Sequence, residues 1–135
     1  MTLGTLTAGK VSAWSPDGSK FAACRDDGEQ TLVIVDLETR EEVNLVSTSL
    51  EKGTSLSVCW SPDSQWVAFS AAEVTDLVRN ERLSGSTDWD LYVTRADGSE
   101  TRRLLRKPGW DYGCAWTPDG TRIVMRSVGS LQDGY

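Results

Sequence analysis

The residue types on which most protein catalysis depends are scarce in this sequence. It contains no histidine, which excludes a Ser-His-Asp triad, a Cys-His pair, a His-Glu-x-x-His motif and any zinc site that uses His. It also contains no Gly-x-Ser-x-Gly nucleophile elbow. We therefore predict a protein that is not an enzyme, with no catalytic residues, no metal ligands and no cofactor.

Two stretches come close to known ligand-binding motifs. Residues 4–10 read Gly-Thr-Leu-Thr-Ala-Gly-Lys, which approaches a phosphate-binding loop, but Val11 stands where a Ser or Thr must reach magnesium. Residues 26–29 read Asp-Asp-Gly-Glu and offer oxygen ligands without the spacing of a calcium loop. We interpret the first stretch as a connection that leads into a strand and the second as a solvated acidic turn.

Aromatic residues give the best candidates for contact with a ligand or partner. Trp110, Asp111 and Tyr112 follow one another in a predicted loop, where two rings and a carboxylate are available to a partner. Packing within the loop is the alternative role for the same residues. Trp66 is a fourth candidate, because the corresponding positions of the other repeats hold Lys20 and Arg122, which indicates an exposed site.

The three cysteines, Cys24, Cys59 and Cys114, are an odd number without Cys-x-x-Cys spacing. We interpret them as small buried thiols in a reducing compartment. A disulfide or a reactive thiol is the alternative.

The elements that must position these residues are organised around a five-residue sequence motif that occurs three times, which we call the repeated phrase. It reads Trp-Ser-Pro-Asp-Gly at residues 14–18, Trp-Ser-Pro-Asp-Ser at 60–64 and Trp-Thr-Pro-Asp-Gly at 116–120. Pro fixes φ for the second position of a type I turn, Asp suits the third, and Gly suits the fourth, where φ is positive. Each copy therefore predicts a strand, a tight turn and a second strand. In a left-handed conformation, Ser64 would cost about 1 kcal/mol.

The apolar runs around the phrase predict two complete four-stranded units and half of a third. The expected strands cover about residues 10–14, 20–25, 31–37 and 42–47, then 56–60, 65–70, 89–95 and 101–106, then 114–116 and 121–127. The second unit carries an insertion at residues 71–88, in which residues 73–79 have the composition for one or two helical turns. We expect this insertion and the link at residues 107–113 to lie on the same face of the molecule.

The repeated phrase, the apolar run after it and the Asp97-Gly98 hairpin resemble the TolB-like class of WD-type β-propeller repeats. One departure is that the family often has Pro shortly before the Trp, where this chain has Ser12, Val58 and Cys114. The resemblance implies an all-β fold made of β-propeller blades. Residues 1–135 would form one partial propeller module, with repeats at about residues 10–55, 56–111 and 112–135.

Two complete blades and half of a third do not close a ring, since propellers typically need four to eight blades. An unclosed stack would expose sheet faces and strand edges, which favour association. We expect a homodimer in which two chains join head to tail into a ring of about six blades. The N-terminal strand of each chain, with Leu3 and Leu6, would complete the half-blade of the other. The alternative is that the chain is a piece of a longer propeller.

The charge balance and the hydropathy pattern exclude several other partners. The net charge is −6, so the basic surplus that drives nucleic-acid binding is missing. No run of about 18 apolar residues is present that could cross a membrane, and no signal peptide is visible at the start. We therefore expect a cytoplasmic protein, or a periplasmic one if the chain is a fragment.

Three functions fit these observations. The first is a non-catalytic β-propeller module that acts as a scaffold for a protein or peptide, with a contact face near residues 110–112 and the insertion. The second is the gating propeller of a prolyl-oligopeptidase-like serine peptidase whose catalytic domain lies outside this chain, which the resemblance implies. The third is a small-molecule site in the propeller channel. Fold does not decide among them, because propellers host many unrelated functions.

Overall fold

The computed structural model of the protein describes residues 9–26, 30–48, 58–71, 74–83, 90–105 and 110–128. Within these ranges the chain forms β-strands arranged in three antiparallel sheets. This arrangement confirms the predicted all-β fold class.

The first sheet begins with four consecutive strands, which we call the first blade. They are β1 (Gly9–Trp14), β2 (Lys20–Asp26), β3 (Gln30–Asp36) and β4 (Glu42–Thr48). Their bounds follow the predicted strands closely. The middle strands read as apolar runs because both of their faces are covered: Leu32 and Val33, which are neighbours in β3 and point to opposite faces, are each 0% exposed.

The remaining strands build an insertion hairpin and two further blades. In chain order they are β5 (Val58–Trp60), β6 (Trp66–Ala71), β7 (Val74–Asp76), β8 (Glu81–Arg82), β9 (Asp90–Arg95), β10 (Thr101–Leu105), β11 (Trp110–Trp116) and β12 (Ile123–Val128). The second blade has the spatial order β5-β6-β9-β10, and the third blade consists of the β11–β12 pair.

The start of the third blade differs from the prediction. Residues 110–113 were predicted to form part of a link, but β11 already begins at Trp110, which pairs with Val128. The pairing register shifts between Tyr112 and Cys114. Such an irregularity hides the two-residue alternation of a strand, so the polar and glycine-containing start of β11 looks like a loop in the sequence.

The insertion also differs from the prediction, because its described residues, 74–83, form a hairpin of two short strands and no helix. β7 pairs antiparallel with β4 of the first blade, and β8 pairs with β7. The N–H of Leu77 continues this contact by donating to the carbonyl of Leu45 (2.9 Å). The described part of the insertion therefore runs along the outer edge of the first blade and does not form a loop on a face. An outer strand has unpaired backbone groups, which a short strand can satisfy whatever its own helical propensity.

The apolar core lies between successive blades. One face of the first blade packs against the second blade in a cluster that includes Ile34, Leu45, Phe69 and Tyr92. The opposite face of the second blade, with Leu91 as one of its core residues, packs against the third blade. The second blade is thus sandwiched between the first and the third, and each of these two contacts is stabilised by about 25 cal/mol per Å² of buried apolar surface.

Gly98, in the turn between β9 and β10, lies where the second blade meets the insertion hairpin. Its φ is +80°, and a Cβ at this position would lie 3.2 Å from the Val78 side chain and 3.3 Å from the Leu45 side chain. Gly18 has nearly the same backbone, with φ of +76°, but a Cβ there would meet nothing within 4 Å. A comparison of substitutions at Gly98 and Gly18 therefore separates the cost of the left-handed backbone from the cost of steric contact.

We expect Gly98→Ala to cost about 1 kcal/mol more than Gly18→Ala. Both substitutions pay about 1–2 kcal/mol for the left-handed backbone, and only Gly98→Ala also crowds its neighbours. Urea unfolding of both variants measures the difference. Equal losses in the two variants would show that the packing between the second blade and the hairpin is looser than described.

Candidate interaction site

The repeated phrase forms a hydrogen-bonded turn that uses its own polar side chains. In the first blade the N–H of Gly18 donates to the carbonyl of Ser15 (2.9 Å), which closes the predicted turn. The hydroxyl of Ser15 donates to Asp17 (2.7 Å) and accepts the N–H of Lys20 (2.9 Å). The Asp17 carboxylate also accepts the N–H of Ser19 (2.9 Å). This role of the Ser was not predicted from the sequence.

The other two copies repeat these contacts, with Ser61 donating to Asp63 (2.5 Å) and Thr117 donating to Asp119 (2.6 Å). Ser64 adopts the expected left-handed conformation, with φ of 62°. Its hydroxyl accepts the N–H of Asp17 in the first blade (3.1 Å). The hydrogen bond between the two turns stabilises the protein by on the order of 1 kcal/mol. It therefore offsets the cost of the left-handed backbone at Ser64, which is of similar size.

These hydrogen bonds favour the ionised form of the turn carboxylates. Donation by the Ser15 hydroxyl, followed by the N–H of Ser19, lowers the pKa of Asp17 from 3.8 to about 2. Donation by the Thr117 hydroxyl lowers the pKa of Asp119 to about 2 in the same way. A carboxylate with a lowered pKa stays ionised near neutral pH, so Asp17 and Asp119 remain acceptors for the hydrogen bonds of their turns.

An indole hydrogen bond links each blade to the one before it. The Nε1–H of Trp60 donates to the carbonyl of Ala13 (2.9 Å), the residue before Trp14. The Nε1–H of Trp116 donates to the carbonyl of Cys59 (3.1 Å), the residue before Trp60. The contact thus follows one rule: the Trp of each blade binds the backbone just before the Trp of the preceding blade. We call this series the indole ladder.

A groove of about 610 Å³ lies between the second and third blades, next to their repeated turns. Leu91, Val93 and Leu104 line its second-blade wall, and Ile123 and Met125 line its third-blade wall. We call it the inter-blade groove. Its walls are mainly apolar, which is typical of sites that bind a ligand or a peptide.

Charged and aromatic side chains surround this groove. Trp66 lies in its lining, with the guanidinium of Arg95 at 5.0 Å and that of Arg102 at 5.6 Å from the ring centroid. These distances allow cation–π attraction. Arg122 from the third blade also lines the groove. The groove therefore combines an apolar floor with side chains of both charges, because Asp63 and Asp119 line it as well.

The structure brings one of the four candidate contact residues to this groove and separates it from the others. Trp66 begins β6, directly after a repeated turn, and is half-buried. Trp110, Asp111 and Tyr112 lie in the first half of β11, at the end of that strand away from its repeated turn. A partner role for all four residues stays a prediction, but they do not form one site.

The cysteines differ from the prediction. Cys59 of β5 and Cys114 of β11 form a disulfide, with Cα atoms 6.0 Å apart, a distance that suits such a bond. The expectation of three buried thiols is therefore wrong for this pair, while Cys24 is buried as expected. The cause is tertiary: the inner strands of neighbouring blades lie side by side, which spacing along the chain does not reveal.

The remaining motifs add no site to the described residues. Among them, no group of three or more His, Cys, Asp or Glu could hold a metal ion. In the near-match to a phosphate loop, Gly9 and Lys10 belong to β1, and residues 4–8 lie outside the described ranges. In the acidic stretch, Asp26 ends β2, and residues 27–29 lie outside those ranges. Within the described part of the chain no helix has the length and apolarity to cross a bilayer.

Curated proteins with similar sequences are much longer than this chain. Tricorn protease homolog 1 of Streptomyces coelicolor is 33% identical over 135 residues, which cover 96% of this chain and 11% of that protein. A TolB homologue of Chlorobium luteolum is 28% identical over 117 residues, which cover 86% of this chain and 23% of that protein. No protein-family model matches the chain. The chain therefore spans less than a quarter of the length of either relative.

Solved structures share the same fold. A TolB structure from Agrobacterium tumefaciens has a TM-score of 0.65 at 22% identity, covering 92% of this chain and 41% of that one. The crystal structure of the tricorn protease has a TM-score of 0.65 at 16% identity, covering 89% of this chain and 11% of that one. The sheets, their packing and these likenesses define a segment of a β-propeller. The fold is that of a TolB-like β-propeller, as the repeated phrase predicts.

We expect the stability of the protein to fall as the pH decreases from about 4 to about 2. The folded-state pKa values of Asp17 and Asp119 lie below 3.8 at about 2. The stabilisation is therefore present above the unfolded-state pKa and is lost as the pH falls through the folded-state value. Asp17→Asn should flatten this fall in the urea midpoint. The matched control Glu81→Gln, at an exposed strand position, should keep it.

We expect Trp60→Phe to destabilise the protein by about 1–2 kcal/mol, because it removes the indole donor and leaves the Ala13 carbonyl without that partner. Trp14→Phe is the control, since Trp14 is 55% exposed whereas Trp60 is 8% exposed, and its effect should stay within about 0.5 kcal/mol. Urea unfolding at dilute protein concentration checks both. An equal effect of the two substitutions would contradict a stabilising role for the indole ladder.

Proposed function

We propose that this chain is a non-catalytic propeller segment that acts as an interaction scaffold and assembles head to tail with a second copy. The indole ladder is the main support for this proposal. If its pattern continues, one further indole donor and one further carbonyl acceptor lie at opposite ends of the chain. At one end is Trp14, the first Trp of the series. At the other end is Ala115, whose carbonyl occupies the position that Ala13 and Cys59 hold in the earlier blades.

Exposure at both ends supports this proposal. Trp14 is 55% exposed and packs edge-on against Phe21, with ring centroids 5.1 Å apart. Val124, on the third blade, is 64% exposed, and Ala115 is exposed beside it in the pairing register. On the end face of the first blade the exposed region centres on Trp14, because Val33 and Val35 on the same face are buried. Exposed large apolar side chains such as Trp14 and Val124 are typical of surfaces that another blade contacts. A head-to-tail contact of this kind gives a ring when its rotation closes.

A second function is the propeller portion of a larger peptidase. The observation that favours it is the 33% identity to a protein named Tricorn protease homolog 1, of which the aligned part is 11%. In that case the same two ends would contact further blades of one longer polypeptide, and catalytic residues would come from elsewhere in it. The reading frame of the gene distinguishes the two functions, since a continuing frame that encodes a peptidase domain favours the second.

We also propose that the protein works in an oxidising compartment. The disulfide between Cys59 and Cys114 supports this location over the cytoplasmic one expected from the sequence, because disulfides persist mainly outside the reducing cytosol. Thiol counting on protein isolated under alkylating conditions tests it. Two protected cysteines per chain are the expected result, and three reactive thiols would contradict the proposal.

We expect the purified chain to form a defined oligomer of the 14.8 kDa protomer in size-exclusion chromatography with light scattering. Trp14→Phe should weaken assembly about tenfold, which corresponds to the loss of about 1.4 kcal/mol for one hydrogen bond. Leu77→Gln is the matched control, because Leu77 is an exposed apolar residue (37%) on the outer edge, away from both ends. A folded monomer at high micromolar concentration would refute head-to-tail assembly.

A further inference from the structure

The two contacts between blades share one backbone design, so they can be compared position by position. The indole of Trp60 binds the carbonyl of Ala13 at the first contact, and the indole of Trp116 binds the carbonyl of Cys59 at the second. Each acceptor is the residue directly before the Trp of its own blade. Cys59 therefore occupies in the second blade the position that Ala13 occupies in the first.

The other half of the disulfide has an equivalent as well. Cys114 and Val58 each lie two residues before the Trp of their own blade. At the first contact Ala13 and Val58 are partly buried and pack against the core between the first and second blades. At the second contact the same two positions are held by Cys59 and Cys114, which are covalently joined. One contact thus has a disulfide where the other has apolar packing.

A further difference between the contacts concerns the repeated turns. The Ser64 hydroxyl of the second blade accepts the N–H of Asp17 in the preceding turn (3.1 Å). The third blade has Gly120 at the position of Ser64, and glycine has no side chain that could bind the N–H of Asp63 in the same way. The second contact therefore depends more on the disulfide than the first contact depends on its apolar pair.

The disulfide is also placed where a reagent can reach it. Cys59 and Cys114 are both partly exposed, whereas Cys24 is 1% exposed. Accessible disulfides are the ones that thiols reduce most readily. A thiol can therefore attack this bond in the folded protein.

We propose that the Cys59–Cys114 disulfide is a redox-sensitive latch, which holds the third blade against the second and releases it on reaction with a dithiol. One thiolate of the dithiol attacks a cysteine sulfur, which forms a mixed disulfide and expels the other cysteine as a thiolate. The second thiolate of the dithiol then displaces the remaining cysteine. One S–S bond breaks in the protein, one forms in the reductant, and two electrons and two protons pass to the cysteines.

Reduction should loosen the second contact because two thiols cannot lie as close together as two bonded sulfur atoms. In a close-packed contact, β5 and β11 must then move apart. The indole bond of Trp116 ends on Cys59 itself, so this movement also weakens that bond. The first contact has no disulfide in the described ranges and should stay closed. Since the inter-blade groove lies between the second and third blades, the latch also controls the separation of its walls.

The test compares hydrogen exchange of the whole chain before and after treatment with dithiothreitol, with thiol counting to establish the state of each sample. We expect backbone amides of β11 and β12 to exchange at least about tenfold faster after reduction, while those of β2 and β3 keep their rates. Trp14→Phe, which should weaken head-to-tail assembly, should show the same response. The latch is therefore tested independently of that assembly.

The double variant Cys59→Ala with Cys114→Val is the matched control, because it copies the residue pair of the first contact. It should keep the slow exchange of the oxidised protein and should not respond to dithiothreitol. Equal exchange of β11 and β12 in the oxidised and reduced protein would overturn the proposal. An equal response of the double variant to dithiothreitol would do the same.

Discussion

The indole hydrogen bond between blades is the contact on which the rest of this structure depends. A four-stranded sheet that is apolar on both faces is unstable in water unless other elements cover both faces. The indoles of Trp60 and Trp116 fix where each neighbour sits, because each combines a large apolar ring with one donor aimed at a backbone carbonyl. The sandwiched core of Ile34, Leu45 and Phe69 follows from that placement.

The same constraint explains how the polar residues are used. Ser, Thr and Asp of the repeated phrase hold the turns that present each Trp, so the residues that resemble catalytic groups are engaged in structure. The insertion hairpin satisfies the outer edge of β4, and the disulfide joins β5 to β11. The turns, the insertion hairpin and the disulfide all lie where one blade meets the next. Most of the buried apolar surface lies at these same contacts.

The parts of the fold that depend on neighbouring residues were predictable. The turn at residues 15–18 requires Pro, Asp and Gly at fixed positions, and the strands on either side of it are short apolar runs, so a local pattern is sufficient. The insertion hairpin was not predictable, because residues 74–76 become a strand only through β4, which is distant in the sequence. Within the candidate site, Trp66 could be predicted because the other repeats have a charged residue at its position. Arg102 and Leu104 show no comparable signal in the sequence.

The sequence alone therefore determines the repeat, the turns, the all-β class and the absence of histidine-based chemistry, since these follow from residue identity and short spacing. Tertiary structure decides which residues of different blades meet: Cys59 with Cys114, Ser64 with Asp17, and the Trp116 indole with the Cys59 carbonyl. The physical reason is that contacts between blades depend on the rotation and distance that relate two sheets. No pattern within one blade records that geometry.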